Sequence, residues 1–170
     1  MICPACGHLN LPGNDACEKC GLPLAHLDAA APNDRLEQSL TADPVSVLTP
    51  RPPVTVLVTA TLADAMARMG ELSVGAVLVT DAAGELVGIL TERDFLLKVA
   101  GHPGFEGLLV SQFMTPHPET VAPTDTLAFA LGKMDAGGYR HLPVVRAGRP
   151  VGVISVRDLL RHITGLCQDG

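Results

Sequence analysis

At 170 residues, with 47% apolar and 18% charged side chains, the chain has enough apolar surface for a packed core and is not a disordered tail. A net charge of −6 argues against broad binding to nucleic acid or to an anionic membrane, and with no Trp, one Tyr and four Phe there is no stacking platform for single-stranded nucleic acid. No apolar run approaches the roughly 20 residues of a membrane span, and the opening Met1-Ile2-Cys3-Pro4 lacks the basic-then-apolar pattern of a secretory leader, so the expected location is cytoplasmic.

The chain starts with two knuckles, Cys3-Pro4-Ala5-Cys6-Gly7 and Cys17-Glu18-Lys19-Cys20-Gly21. In each, a glycine after the second cysteine lets the backbone turn so that its N–H groups point at the thiolates. Four soft thiolates at this spacing suit a tetrahedral, closed, structural Zn²⁺ site with ligands Cys3, Cys6, Cys17 and Cys20. Iron held by the same four thiolates is the alternative that spacing leaves open. Two disulfides do not suit a chain without an export pattern. The segment resembles the short zinc ribbons found at the ends of many prokaryotic proteins. It has too little core to fold alone over residues 1–27, so metal binding is expected to supply its folding energy, roughly 10–16 kcal/mol in comparable peptides. Its charged side chains are Asp15, Glu18 and Lys19, a poor surface for phosphate. Docking of a protein partner, or assembly, is the expected role. Cys167, far away, reads as a small core or surface residue.

Residues 28–44 read as a linker, beginning with the run Asp28–Asn33 and holding a helical turn or two over Arg35–Leu40. Asp43-Pro44 and Thr49-Pro50-Arg51-Pro52-Pro53 then interrupt regular structure, because proline denies helix to its predecessor and donates no N–H.

An internal repeat follows. Thr55–Leu96 aligns with Thr120–Leu160 after one deletion near Ala83, with 16 of 41 paired positions identical, too many for chance. Each copy predicts a short strand (Thr55–Val58 or Thr120–Val121) and then an amphipathic helix. That helix carries Leu62, Ala65, Met66 and Met69 on one face, or Leu127, Ala130, Leu131 and Met134. A strand over Ala76–Val79 or Leu142–Val145 comes next, with a tight turn at Asp81–Gly84 or Arg146–Gly148. A Val-Gly strand then runs into a hydroxyl-capped helix at Val87–Leu96 or Val151–Leu160. The order is β-α-β-β-α twice, an α/β (α+β) fold whose copies must share a core because neither is large enough alone. Thr91 and Asp94, like Ser155 and Asp158, have the spacing of a capping box. The same turn carries unpaired N–H groups and the positive end of the helix dipole, which suits an anion.

These residues resemble a tandem pair of CBS (cystathionine-β-synthase-type) domains. The resemblance runs from about Val45 to His162 and rests on Phe113-Met114-Thr115-Pro116, Leu142-Pro143-Val144-Val145 and the two Gly-x-x-Thr/Ser-x-Arg-Asp signatures. It implies repeats at 45–105 and 106–170 packed as a pseudo-twofold pair. It also implies a non-enzymatic regulatory module that binds an adenine nucleotide (AMP, ADP or ATP) or S-adenosylmethionine between the repeats, and a homodimer. By the resemblance, Asp94 and Asp158 accept the ribose hydroxyls and Thr91 and Ser155 meet the α-phosphate. Thr55-Val56 and Thr120-Val121 line the adenine pocket. The copies differ at one place: Arg140 and His141 in the second, fit to meet phosphate, stand where the first has Gly75 and Ala76. Unequal sites are expected.

Arg93 and Arg157 read as residues covering apolar surface or forming salt bridges. His102, His117 and His162 read as loop or surface residues. Two other functions fit the same residues less well: a nucleic-acid-associated regulator acting through the ribbon, and a structural module with empty clefts. No paired acid, base or nucleophile accompanies the carboxylates, so an enzyme is not expected.

Overall fold

The structure, a computed structural model, describes residues 2–11, 14–24 and 35–168. The first stretch expected of the linker, residues 28–34, lies outside them. In chain order the elements are α1 (Arg35–Ala42), β1 (Thr55–Leu57), α2 (Leu62–Leu72), β2 (Ala76–Thr80), β3 (Leu86–Thr91) and α3 (Glu92–Asp94), which continues as a π-helical turn over Phe95–Val99. Then come β4 (Thr115–Pro116), α4 (Leu127–Gly137), β5 (His141–Arg146), β6 (Arg149–Ser155) and α5 (Val156–Gln168). Among the described residues, no helix is long and apolar enough to cross a membrane.

The chain divides into two compact units that interleave the repeats. One comprises Arg51–Thr120 and Pro143–Val153, the other Met1–Pro50, Val121–Leu142 and Ile154–Gly170. In the former, four strands form a sheet in the order β1-β2-β3-β4, with β1 and β2 parallel and the other pairs antiparallel. Side chains alternate across a strand, so Val56, Val77, Val79 and Leu90 meet Leu62, Ala65 and Met69 of α2 together with Val99 and Val110. On the other face Ala76, Leu78 and Ile89 meet Leu86 and Val153. All of β2 is therefore buried, which is why Ala-Val-Leu-Val-Thr reads as an unbroken apolar run. Met114 crosses β3 at Gly88: a Cβ built there would stand 2.3 Å from the Met114 sulfur, so any side chain at that position would have to displace Met114.

In the other unit, α4 packs against α1 and α5. The ends of these helices are stitched by backbone hydrogen bonds, Val45 N–H to Asp125 O at 2.7 Å and Leu127 N–H to Asp43 O at 3.0 Å. Val45, Leu127, Ala130, Met134 and Leu159 are buried. His162 is no idle surface residue: its Nε2 lies 2.8 Å from the Ser39 hydroxyl, joining α5 to α1.

Three local expectations need correction. Met66 and Leu131 lie off the buried faces of their helices, 43% and 38% exposed. Thr120–Val121 forms none of the named strands, Val121 making only a single bridge. The helix expected after Thr91 is present, three α-helical residues and a π turn that together reach Val99, and its counterpart α5 runs for 13 residues. Left-handed glycines at 101 and 104 follow the first, whereas α5 runs on through Gly165, which is not left-handed, to Gln168.

Candidate functional sites

The four cysteines of the knuckles converge. Their sulfurs all lie within 4.8 Å of one another, with Cys3 to Cys20 at 3.5 Å and Cys6 to Cys17 at 3.6 Å. A tetrahedron with metal–sulfur bonds of about 2.3 Å has edges of about 3.8 Å, so the cluster fits one ion. Each knuckle closes in the same way. Gly7 and Gly21, at φ +67° and +73°, return their N–H groups to the carbonyls of Cys3 and Cys17 at 2.9 and 2.8 Å. Cys3 and Cys17 donate in turn to His8 O and Leu22 O, both at 2.8 Å. Cys3, Cys17 and Leu24 form a small buried core.

The thiols are unequal. Burial pushes Cys17 up, but the N–H groups of Cys20 and Lys19, with the Asn10 amide, outweigh it and bring its pKa down to about 6. The Leu22 N–H pulls Cys20 down, but burial and the neighbouring thiolates Cys3, Cys6 and Cys17 outweigh it and push that thiol up to about 12. A cation in the middle removes that repulsion, and its binding releases protons.

The other candidate sites are the two strand-to-helix turns. At the first, Thr91 caps α3: its N–H and hydroxyl donate to Asp94 Oδ2 at 2.9 and 2.6 Å, and Asp94 N–H returns to Thr91 Oγ1 at 3.3 Å. The other carboxylate oxygen, Oδ1, meets Lys98 Nζ at 2.7 Å, and that ammonium also donates to Phe113 O at 3.0 Å. Asp94 is buried, which raises its pKa, but Lys98 and the two Thr91 hydrogen bonds prevail and hold the carboxyl below its usual range. The second turn repeats this design with Ser155 N–H and hydroxyl on Asp158 Oδ2 at 2.8 and 2.6 Å, and Arg161 on Oδ1 at a looser 3.3 Å. The full reciprocal capping box is thus present at Thr91–Asp94, and the Ser155–Asp158 turn shows its carboxylate half; in both, the contact uses one oxygen of the carboxylate.

Beside each turn, the strand preceding the hairpin supplies a matching backbone contact. Glu92 N–H donates to Gly75 O and Val156 N–H to Arg140 O, both at 3.1 Å. Arg140 and His141 therefore stand next to the Ser155–Asp158 turn, while the corresponding place at Thr91–Asp94 holds Gly75. Thr55 and Val56 lie on β1 opposite Leu78 and Val79, with Val56 buried; Val121 is buried and Thr120 half-buried outside the named strands. Arg93 and Arg157 are exposed, as is Cys167. Sequence reasoning did not single out Lys98 or Arg161, although their i+4 and i+3 spacing from the carboxylates was available to find them.

The model of the CBS domain matches residues 45–101 and again 110–165. The chain belongs to the CBS-domain family. It is a CBS-domain regulatory module, and proteins of this family are in general regulatory, not catalytic. The ribbon cysteines lie outside the matched residues. Among relatives, an uncharacterized 17.7 kDa protein of Acidianus ambivalens is 35% identical over 104 residues, 61% of this chain and 62% of that protein. The CBS domain-containing protein CBSCBSPB5 of Arabidopsis thaliana is 42% identical over 102 residues, 59% of this chain but only 18% of its own length. The chain thus spans less than two thirds of either. Among solved structures, a CBS domain protein from Pyrobaculum aerophilum complexed with AMP is 32% identical with a TM-score of 0.65, covering 75% of this chain and 99% of that one. A conserved protein from Pyrococcus horikoshii is 26% identical with the same TM-score, over 72% and 92%.

Proposed function

We propose that this CBS module is a non-enzymatic sensor of an adenine nucleotide, AMP being the first candidate because the Pyrobaculum relative is complexed with it. ADP, ATP and S-adenosylmethionine are the other candidates. The observation that carries the reading is the repeated turn. A helix N-terminus, a hydroxyl and an ionised carboxylate with one oxygen turned away from the cap suit a ribose-phosphate group. Thr91 and Ser155 are assigned to phosphate, Asp94 and Asp158 to ribose, and Thr55, Val56, Thr120 and Val121 to the adenine pocket. The second turn is the stronger candidate. Arg140 and His141 stand beside it, and Arg161 holds Asp158 more loosely than Lys98 holds Asp94.

On this reading the chain is organised as a zinc ribbon at 1–27, a linker at 28–44 and repeats at 45–105 and 106–170. It works as a cytoplasmic homodimer whose ribbon holds structural zinc and takes part in docking a protein or in assembly. Titration calorimetry with AMP, ADP, ATP and S-adenosylmethionine tests the nucleotide reading. Binding of at least one ligand is expected, weakened tenfold or more in Asp158→Asn and little changed in Asp94→Asn. Absence of heat with all four, at protein concentrations where the chain is folded by circular dichroism, would sink it.

A further inference from the structure

Helix α4 is covered on two faces, which a helix of the protein surface ordinarily is not. Leu127, Ala130 and Met134 point into the core of its unit. On the outer side Ala128, Phe129, Gly132 and Lys133 are all half-buried. The same positions of the other repeat, Ala63, Asp64, Ala67 and Arg68 on α2, are all exposed and carry two charges. The repeat therefore supplies its own control: one copy has a solvated outer face and the other a covered one.

Part of the cover is the ribbon. Pro4 stands over Gly132, so that a Cβ built on the glycine would lie 3.1 Å from Pro4 Cβ and 3.7 Å from its carbonyl carbon. That is tighter than ordinary packing allows, and the other repeat has Ala67 where this one has the bare glycine. Pro4 lies between two ligands of one knuckle, Cys3 and Cys6. Its position over the helix is set by the knuckle's fold, and a knuckle with so little core of its own needs its ion to hold that fold.

We propose that the outer face of α4 is the seat of the ribbon's first knuckle, with Gly132 as the notch for Pro4, and that metal loading of the four cysteines gates this seat. The second repeat then registers the metal state of the ribbon through direct packing. The inference rests on the reading of the cysteines as a metal site and extends it to an intramolecular partner.

Hydrogen exchange on the full-length chain, zinc-loaded and chelator-stripped, tests it, with cobalt substitution reporting the thiolate site independently. Stripping should speed exchange across 127–137 at least threefold and leave 62–72 unchanged. Gly132→Leu should keep the cobalt–thiolate absorption while abolishing the metal dependence of exchange at 127–137. Pro4→Asp, which changes only the ribbon side, should do the same, and Ala67→Leu should do neither. Equal exchange across 127–137 in loaded and stripped wild type, with the cobalt band present, overturns the seat and leaves the metal site standing. Absence of any cobalt–thiolate band overturns both.

Discussion

Asn10 is the residue whose role was hardest to foresee. It is 3% exposed, and its side chain ties the two knuckles together. Its carbonyl oxygen accepts the Glu18 N–H at 3.0 Å, and its amide donates to His8 O at 3.0 Å and toward Cys17 Sγ at 3.6 Å. No spacing rule marks a lone Asn between cysteine pairs, whereas the clustering of the four cysteines was legible from their spacing alone, the spacing a thiolate tetrahedron dictates. Groups that orient metal ligands this way are commonly worth 10–100-fold in metal affinity. Asn10→Ala should weaken zinc by about that factor in competition with a chromogenic chelator; an unchanged affinity would reduce Asn10 to a spacer. Asp94 supports a second prediction at this scale. Its folded pKa lies below the unfolded value of roughly 3.9, so the stabilisation it brings is present in full above that value and lost as pH falls through the folded one. Asp94→Asn should therefore lower unfolding stability at pH 7 by about 1–3 kcal/mol. The gap to wild type should begin to shrink as pH falls below about 4 and close once the folded value is passed in denaturant titrations, and a gap that does not shrink over that descent would deny the charge its part.

At the scale of elements, the hairpins and the first helix of each repeat could be read because period, caps and turn residues agreed. β2 and β3 appear within a residue or two of the expected bounds, and Thr61 caps α2 in a full box with Asp64. The expectation failed where a neighbour, and not the local pattern, decides. Thr120–Val121 matches Thr55–Val56 in sequence, prolines before it included, yet forms no named strand. Gly88 shows the same logic in reverse. Its place in a strand is disfavoured locally, and only the Met114 side chain passing over it explains the absence of a Cβ. Gly88→Ala should cost about 1–3 kcal/mol through overpacking. Met114→Ala leaves a cavity of its own, so the test is the coupling: the double variant should be clearly more stable than the sum of the two single losses predicts. Simple additivity in urea denaturation would show that Met114 swings aside and that Gly88 is kept for another reason.

For the whole molecule, the repeat was plain in the sequence but the way it is divided was not. The compact units take the 143–153 hairpin with the first repeat and Val121–Leu142 and Ile154–Gly170 with the N-terminal residues. Such exchange follows from the size argument, since a unit of about 60 residues buries too little surface to be an independent domain. Nor could the sequence alone show that the ribbon lies against α4, though the less charged outer face of that helix was visible once the two copies were compared. A module with interleaved units should unfold as one cooperative body, so a ligand held by one turn stabilises the entire fold. AMP at 100 times its dissociation constant should add about 2.7 kcal/mol, visible as a single transition shifted to higher temperature or denaturant. Asp158→Asn should remove most of that gain and Asp94→Asn should keep it, because the second turn alone has Arg140 and His141 beside it. Two separately shifting transitions would mean that the interleaved units do not act as one body. A gain lost equally in both variants would mean that the two turns contribute alike, and that the asymmetry between Lys98 and Arg161 has no bearing on binding.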